Sequence, residues 1–385
     1  MKAVAIVDGE HYPDVVRAAL DELPYEFVGV MLIGGTEKLR GEPDYGVPLV
    51  AEPGDAEIAI DLSDEPVLDP RTRLHLASRF LADGIPYVGA DFRFDPPDRH
   101  PVGRPSLAVI GTGKRVGKTA VTGHVARLLA RDRRVVVVAM GRGGPAEPEL
   151  VETPPSLDEL VALSRSGRHA ASDHLEVAVL AGVPTIGCRR AGGGLAGAPF
   201  TSNVPAGAEL AVGLDPDVIV FDGSGAAIPP VDTDARILVA HDAASGLNPY
   251  RVLISDLVLT MSDEVARDVH ALGRPVLRFG LRLRPYEPVA GGRVAVFTTG
   301  PAPFEHLDAD VVFRSRNLSD RAALAHDLRD VDADTFVVEI KAAAIDVVAE
   351  AALARGARVV FAGNEVVAEG LDDAILSLVP SVVRA

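Results

Sequence analysis

The sequence predicts an α/β protein, with a central domain built on a mostly parallel sheet and a smaller α/β domain on its N-terminal and C-terminal sides. Apolar runs rich in β-branched residues alternate with turns and amphipathic segments along the whole chain, which is typical of parallel sheets. Two proline-bearing connectors, at 91–105 and 282–292, interrupt this alternation. They predict three domains, at 1–103, 104–284 and 285–385.

The predicted strands follow one another at the spacing of βα units, and several end in polar or glycine-rich loops. In the first domain they lie near 3–7, 27–33 and 58–62. In the central domain they lie near 106–110, 135–139, 184–187, 218–221, 237–240 and 257–261. In the third domain they lie near 295–298, 335–339 and 358–362. The loops at 8–12 and 61–66 are more polar than folding alone requires, which leaves open what the first domain binds.

Composition narrows the class of protein. A chain of 385 residues can bury two or three separate cores, and 48% hydrophobic with 24% charged residues is an ordinary globular composition. No apolar run approaches the roughly 20 residues of a membrane-spanning helix, and the N-terminus does not resemble a signal peptide. The single cysteine, Cys188, cannot form an intrachain disulfide. We therefore expect a cytoplasmic protein.

The balance of charge points to the kind of ligand. Lysine and arginine total 38 against 55 aspartates and glutamates, a net charge of −17, which disfavours nucleic acid and anionic membranes as partners. Against this acidic background, arginines clustered beside glycines indicate places that hold a small anionic molecule.

The strongest chemical signal is a glycine-rich loop between an apolar strand and a helix. The loop consists of Gly111, Thr112, Gly113, Lys114, Arg115, Val116, Gly117, Lys118 and Thr119. Its glycines let backbone N–H groups converge on phosphate oxygens, and the helix N-terminus adds the positive end of its dipole. This context predicts a P-loop NTPase domain that binds ATP. We expect Lys118 to reach the β- and γ-phosphates and the Thr119 hydroxyl to bind Mg²⁺.

The loop departs from the usual GxxxxGK[ST] pattern, because position 112 is threonine and the glycines stand at 111 and 113. It resembles the GTDTxVGKT loop of dethiobiotin synthetase and its relatives, which implies a dethiobiotin synthetase-like domain. Asp222 ends an apolar strand, where a second Mg²⁺ ligand is expected. It corresponds to the glutamate in the EGAGG segment of that group. The alternative is that Asp222 only caps the next element.

Arginines follow two other predicted strands of the central domain. Arg142 lies in a glycine-rich loop, and Arg189 and Arg190 precede three consecutive glycines. Ligands of open α/β sheets bind at the carboxyl ends of strands, and arginine offers paired donors to phosphate or carboxylate. These residues are therefore predicted to bind substrate, although solvated surface loops are the alternative. The neighbouring Cys188 is predicted to pack in the core, since no base accompanies it as a nucleophile would require.

Two further places hold candidate substrate-binding residues. His169 and Asp173 lie in the segment GRHAASDH, which lacks the ligand spacing of a zinc site. His169 could bind substrate or serve the structure, and Asp173 more simply caps a helix that begins near 174. Lys341 follows a strand ending in Glu339 and could reach a substrate anion. A solvated ion pair of Lys341 with Glu339 is the alternative.

These segments, taken in order, closely resemble those of the cyclic 2,3-diphosphoglycerate synthetase family. The resemblance extends over nearly the whole chain and rests on VDGEHYP, IGGTEKL, DLSDEPV, IGTGKRVGKTAV, VAMGRGGPAEPE, HAASDH, GCRRAGGG, GSGAAIPPV and EIKAAAIDV. It implies closure of 2,3-diphosphoglycerate into its cyclic phosphoanhydride, dependent on ATP and Mg²⁺, with ADP and phosphate released. It also implies a homodimer. The residues themselves indicate only a P-loop, a metal-binding carboxylate and arginine-rich loops for anions.

Within that reaction, Lys118, Lys114 and Arg115 are predicted to be catalytic, stabilising charge on the transferred phosphoryl group. Two other functions fit the same residues. One is a kinase that makes 2,3-diphosphoglycerate from 2-phosphoglycerate, because no residue decides where the reaction stops. The other is a nucleotide-dependent switch acting on a protein partner, against which the arginines at strand ends argue.

Overall fold

The computed structural model describes residues 1–35, 38–65, 67–167, 173–289, 291–300, 302–341 and 344–379. Contacts divide the chain into two compact units. The first contains Met1–Asp98, Asp242–Ile254 and Asp268–Arg274, and the second contains the other described residues.

The first unit is built on a five-stranded sheet. Its elements up to residue 94 are β1 (Lys2–Val7), α1 (Pro13–Glu22), β2 (Glu26–Leu32), β3 (Ile58–Asp61), α2 (Pro70–Ala82), β4 (Tyr87–Val88) and β5 (Arg93–Phe94). The strand order is β2-β1-β3-β4-β5, parallel except for β5. β1 lies between two neighbours, and its residues from Ala3 to Val7 are completely buried. Asp69 fixes the start of α2 by accepting the Thr72 N–H at 2.7 Å.

The chain between 99 and 279 carries the largest sheet. Its elements are β6 (His100–Pro101), β7 (Ser106–Gly111), α3 (Lys118–Leu129), β8 (Val135–Gly141), β9 (Glu149–Val151), α4 (Leu157–Arg165), α5 (Asp173–Ala181), β10 (Thr185–Ala191), β11 (Thr201–Ser202), α6 (Val204–Gly213), β12 (Val218–Asp222), β13 (Val231–Asp232), β14 (Ala235–Ala240), α7 (Asn248–Leu253), β15 (Leu257–Thr260), α8 (Asp263–Ala271) and β16 (Val276–Arg278). Of these, α7 belongs to the first unit.

The order of the large sheet is β11-β10-β8-β12-β7-β14-β15-β16, with β9 paired to β10. The strands from β10 to β16 along this path are parallel. The middle strands β8, β12, β7, β14 and β15 are apolar and almost fully buried, as strands covered on both faces must be. β7 therefore runs between β12 and β14, and the carboxyl ends of all three meet at one edge.

A third sheet completes the second unit. Its elements are β17 (Gly280–Pro285), β18 (Arg293–Phe297), β19 (Asp310–Ser315), α9 (Arg321–Asp327), β20 (Thr335–Glu339), a π-helical segment (Ala344–Ala349), α10 (Glu350–Ala354), β21 (Arg358–Val367) and α11 (Leu371–Leu378). The order is β17-β21-β20-β18-β19, parallel except for β17.

The first and third sheets share one topology, with the first parallel strand between the second and third and an antiparallel strand beside the fourth. In each sheet a buried carboxylate links the ends of the first and third parallel strands, with donor and acceptor exchanged between the two sheets. Asp8, after β1, accepts the N–H of Asp64, beyond β3, at 2.7 Å. Glu339, at the end of β20, accepts the N–H of Thr299, beyond β18, at 2.7 Å.

The predicted α/β fold class is confirmed, and each predicted strand is present with its ends shifted by a few residues. The connector predicted at 282–292 is wrong in its first part, because β17 occupies Gly280–Pro285 and pairs with β21. Leucines at 281 and 283 alternate with arginines at 282 and 284, the period of a strand with one buried face. Within the described residues, no helix is both long and apolar enough to cross a membrane.

Candidate active site

The glycine-rich loop joins a buried strand to a helix with an open N-terminus. Every residue of β7 is buried. α3 begins at Lys118, and its N-cap, Gly117, has a φ of 98° and no side chain with which to cap the helix. The first N–H groups of α3 are thus left for an acceptor from outside the helix, and phosphate is a common acceptor at such an end.

Lys118 lies at this helix start and is buried, with only 9% of its surface exposed. Within the described chain its ammonium group has no hydrogen-bond or ion-pair partner. A buried charge without a partner is costly, so the surroundings of Lys118 are complementary to a bound anion.

The loop packs closely against the turn that follows β12. A Cβ at Gly111 would lie 3.0 Å from Cδ of Lys118 and 3.2 Å from the carbonyl oxygen of Gly225. Only glycine at 111 lets the turn approach the lysine this closely. The two segments are far apart in the sequence, so the sequence alone does not show this contact. It places the turn at 224–225 next to the glycine-rich loop.

Asp222 stands at the end of β12, in register with Val109 of β7. It is 3% exposed and accepts a hydrogen bond from the Thr122 hydroxyl at 2.9 Å. Thr119 and Thr122 are three residues apart on α3 and so share one face of the helix. The Asp222 carboxylate and the Thr119 hydroxyl therefore flank the same corner of the loop and are oxygen ligands of the kind that Mg²⁺ takes.

Arg190 reaches the same turn from β10. Its guanidinium donates to the carbonyl of Ser224 at 2.9 Å and also to the carbonyl of Gly192. A Cβ at Gly225 would lie 3.6 Å from the Arg190 guanidinium and 3.7 Å from Cγ of Lys114. The structure thus brings Arg190 and Lys114 close to the same glycine.

The other two arginines lie at the same edge of the sheet with exposed side chains. Arg189 is in register with Gly141, so Arg142 follows directly at the end of the neighbouring strand. A Cβ at Gly144 would overlap the carbonyl of Cys188, so the loop after β8 packs against β10. Asn203 fixes the end of β10 by accepting the backbone N–H of Arg189 at 2.6 Å.

Lys341 lies between two buried carboxylates. Its ammonium is 3.4 Å from Oε1 of Glu176 on α5 and 3.6 Å from Oε1 of Glu339. Glu176 first, and Glu339 with it, raise the pKa of Lys341 above its ordinary value, so the lysine is charged. Glu339 is held in turn by Thr299 and by the Asn364 amide at 2.7 Å. Lys341 is therefore an anchored cation, and the pairing with Glu339 considered from sequence is present.

α5 links this cluster to β10. The helix begins at Asp173, and His174 lies so close beneath Gly187 that a Cβ there would be 2.6 Å from the imidazole ring. His169 and the side chain of Asp173 fall outside the described residues. The start of α5 nevertheless lies beside the strand that carries Arg189 and Arg190.

Sequence reasoning missed His241, which follows β14. Its Nδ1 lies 2.8 Å from the hydroxyl of Thr112 in the glycine-rich loop. The two residues are 129 positions apart, and a single histidine after a strand carries no pattern. The signal that could have found it is the unusual threonine at 112, which needs a partner when its side chain is buried.

Cys188 is a core residue, as predicted. It is 1% exposed, and burial raises the pKa of its thiol to about 12. A thiol held protonated in this way is a poor nucleophile.

The polar loops of the first unit form a separate cluster at the carboxyl ends of β1 and β3. The Asp8 carboxylate is fully buried and lies 2.9 Å from Nδ1 of His11. Burial alone would raise the pKa of Asp8, but the N–H groups of Asp64 and Glu10 and the His11 ring hold it below its usual range. Asp61 accepts from the Tyr87 hydroxyl at 2.6 Å. These carboxylates are satisfied within the unit and tie its strand ends together.

Comparison with family models matches all three parts of the chain. The model of the cyclic 2,3-diphosphoglycerate synthetase P-loop domain matches residues 106–273. The N-terminal domain model of the same family matches residues 2–95, and its C-terminal domain model matches residues 285–365. A P-loop domain in the centre of the chain is thereby confirmed.

Named relatives agree with the family models. The chain is 47% identical to the cyclic 2,3-diphosphoglycerate synthetase of Rubrobacter xylanophilus, over 100% of this chain and 98% of the relative. It is 43% identical to the synthetase of Thermococcus kodakarensis, over 94% of each. Among solved structures, the apo form of LpxK from Aquifex aeolicus in complex with ATP matches 79% of this chain and 94% of its own at 14% identity, with a TM-score of 0.45. A likeness of that size does not establish a common fold. From the family models and the relatives together, the chain belongs to the cyclic 2,3-diphosphoglycerate synthetase family.

Proposed function

We propose that this enzyme closes 2,3-diphosphoglycerate into its cyclic phosphoanhydride and converts one ATP to ADP and phosphate in doing so. Family membership supports the substrate and the product. The observation that supports ATP as the activating group is the buried, partnerless Lys118 at the open N-terminus of α3, beside Asp222 and Arg190. The complete site, including its substrate residues, is part of this proposal.

Lys118, the loop amides and the N-terminus of α3 bind the phosphates of ATP. Thr119 and Asp222 would hold Mg²⁺, which neutralises charge on the β- and γ-phosphates when it is bound. A single carboxylate and a hydroxyl suit this metal, because Mg²⁺ usually takes few protein ligands and completes its shell with waters and phosphates.

In the first step, an oxygen of one substrate phosphate attacks the γ-phosphorus of ATP, and the bond from that phosphorus to the β-phosphate oxygen breaks. ADP leaves, and the substrate phosphate becomes a pyrophosphoryl group. Lys114 and Arg115 lie on the loop with exposed side chains and stabilise negative charge on the phosphoryl group during its transfer. The phosphorylated intermediate is the part of the mechanism on which ring closure depends.

In the second step, the other substrate phosphate attacks the inner phosphorus of the pyrophosphoryl group. The new bond closes the ring, and inorganic phosphate leaves with the bridging oxygen. Repulsion between the two phosphates opposes this step. Arg142, Arg189 and Arg190 lie at the carboxyl edge of β8 and β10, where they offset the repulsion and hold the phosphates within reach.

Lys341 and the start of α5 complete the substrate site in this proposal. Lys341 is charged and 31% of its side chain is exposed, so it can meet a substrate anion while Glu176 and Glu339 hold it in place. We assign the same role to His169 and Asp173 because their segment leads directly into α5.

Phosphorus NMR tests the product. With ATP, Mg²⁺ and 2,3-diphosphoglycerate, we expect both monoester signals to be replaced by coupled signals of a phosphoanhydride, with one ADP and one phosphate for each ring. Release of ADP and phosphate with unchanged 2,3-diphosphoglycerate would contradict the proposal. Conversion of 2-phosphoglycerate to 2,3-diphosphoglycerate as the end product would instead identify a kinase.

We also propose a homodimer, as the family resemblance implies. Sedimentation equilibrium should give twice the chain mass of 40.3 kDa, independent of salt concentration near physiological values. A mass of one chain at micromolar concentration would contradict it.

A further inference from the structure

Thr112 makes three hydrogen bonds that join the first turn of the glycine-rich loop to β14 and to His241, the residue that follows β14. The Thr112 N–H donates to the carbonyl of Val239 at 3.2 Å. The backbone N–H of His241 donates to the Thr112 hydroxyl at 3.1 Å, and the same hydroxyl lies 2.8 Å from Nδ1 of His241. Thr112 is 7% exposed, so this hydroxyl is satisfied by His241 alone among the described contacts.

The Thr112 hydroxyl can make both contacts at once, because a hydroxyl has two acceptor lone pairs and one hydrogen. It accepts the backbone N–H of His241 and still has a lone pair and its own hydrogen for Nδ1, whichever neutral tautomer the ring takes. The rest of the His241 ring is exposed at the edge of the loop.

The ring of His241 also accounts for the glycine at 113. A Cβ at Gly113 would lie 2.6 Å from Cε1 of His241, closer than real Cβ contacts. Threonine at 112 and glycine at 113 are therefore matched to His241.

The loop needs such an anchor because its backbone is unusual. Arg115 has a φ of 60°, one of two non-glycine residues with positive φ in the described chain. A conformation of this kind persists only where neighbouring contacts impose it. Thr112 holds the loop on one side of Arg115, and α3 holds it on the other.

We propose that His241 is a positioning residue for nucleotide binding: it holds the first turn of the loop in its phosphate-receiving shape before ATP arrives. The inference rests on the proposed function, because it takes the loop to be the ATP site. A loop that already has its bound shape loses less conformational entropy when the nucleotide binds. Disordering the free loop should therefore weaken its affinity for the nucleotide. Loss of one such neutral hydrogen bond corresponds to a roughly fivefold to tenfold weaker Kd.

Calorimetric titration of the whole protein with an ATP analogue that is not hydrolysed tests this role. His241→Ala and Thr112→Val should each weaken nucleotide binding roughly fivefold to tenfold and leave binding of 2,3-diphosphoglycerate unchanged. The double variant should bind no more weakly than Thr112→Val alone, because Thr112→Val already removes the contact with the His241 ring. Thr112→Ser keeps the hydroxyl and should bind like the unaltered protein.

A pair of substitutions gives a second test, because a general loss of stability would not produce the same pattern of affinities. Gly113→Ala should weaken nucleotide binding in the unaltered background and do so much less in the His241→Ala background, where the clashing ring is gone. In steady state, His241→Ala should raise the KM for ATP and leave kcat unchanged. His326→Ala, an exposed histidine on α9, is the matched control and should change neither constant.

Unchanged nucleotide affinity in His241→Ala, or equal and additive losses in the double variant, would overturn the inference and leave the proposed function intact. Failure of the unaltered protein to bind the nucleotide at all would overturn both.

Discussion

At the scale of single residues, the proposed chemistry depends on two cations beside the glycine-rich loop. Lys118 is buried without a partner, and Arg190 uses its guanidinium to bridge two carbonyls at the edge of the glycine-rich loop. The sequence predicted both as site residues. It could not predict His241, because nothing local marks a residue whose partner is 129 positions away.

Lys118→Ala should lower kcat/KM about 100-fold to 1000-fold, the range for losing one group that stabilises a transition state. The fold should survive, because the ammonium group makes no hydrogen bond or ion pair within the described chain. Coupled detection of ADP measures the rate, and circular dichroism checks the fold. Lys2→Ala removes an exposed lysine of the first unit and should leave the rate unchanged. Rates of Lys118→Ala close to those of the unaltered enzyme would remove the lysine from the mechanism.

Arg190→Ala should raise the KM for 2,3-diphosphoglycerate about 10-fold to 100-fold, since charge-assisted hydrogen bonds to phosphate are the strong ones. Nucleotide affinity should change far less. Arg131→Ala, which removes an exposed arginine two residues after the end of α3, serves as the control. Equal losses for nucleotide and substrate would argue that Arg190 only supports the 224–225 turn.

At the scale of elements, close packing at the carboxyl edge of the large sheet sets the positions of the site residues. α6 lies against β8 and β10, and a Cβ at Gly207 would overlap the Cys188 sulfur. The alternating leucines of β17 show where sequence reasoning failed at this scale. Their period of two was present, but the prolines in the same segment favoured a connector.

Gly207→Ala should lower the free energy of unfolding by about 1–3 kcal/mol, because overpacking a filled core forces neighbours to move. Gly213→Ala on the same helix meets nothing within 4 Å and is the matched control. It should be neutral or slightly stabilising, since alanine favours helix over glycine. Urea unfolding measures both. Equal stabilities of the two variants would contradict this packing of α6 on β10.

At the scale of the whole molecule, a cluster of buried ion pairs connects the large sheet and the third sheet within the second unit. Glu176 on α5 and Glu339 on β20 share Lys341. The alternation of apolar runs with amphipathic segments predicted the α/β class and the strands. Strands of a parallel sheet are buried on both faces, so each one appears in the sequence as an apolar run. It could not predict this cluster, since sequence does not show which strand end meets which helix. The boundaries of the three domains stay a prediction.

Lys341→Met should destabilise the protein by about 2 kcal/mol, because it leaves two buried carboxylates without their cation while the site is partly open to water. Adding Glu176→Gln should recover part of the loss. The pKa of Lys341 is raised on folding, so its contribution is complete below the ordinary value of 10.5 and is lost as pH rises through the raised value. Urea unfolding at pH 8 should show the loss, and a curve equal to that of the unaltered protein would contradict the pairing.

The central claim is that the P-loop transfers a phosphoryl group to the substrate and so activates ring closure. Oxygen-18 placed in the non-bridging positions of both substrate phosphates tests it most directly. If a substrate oxygen attacks ATP and then leaves with the departing group, the released phosphate must carry one oxygen-18, seen as an isotope shift in its phosphorus signal. Released phosphate without oxygen-18, its fourth oxygen taken from unlabelled solvent water, would show that ATP is hydrolysed directly, and the two-step mechanism would be wrong.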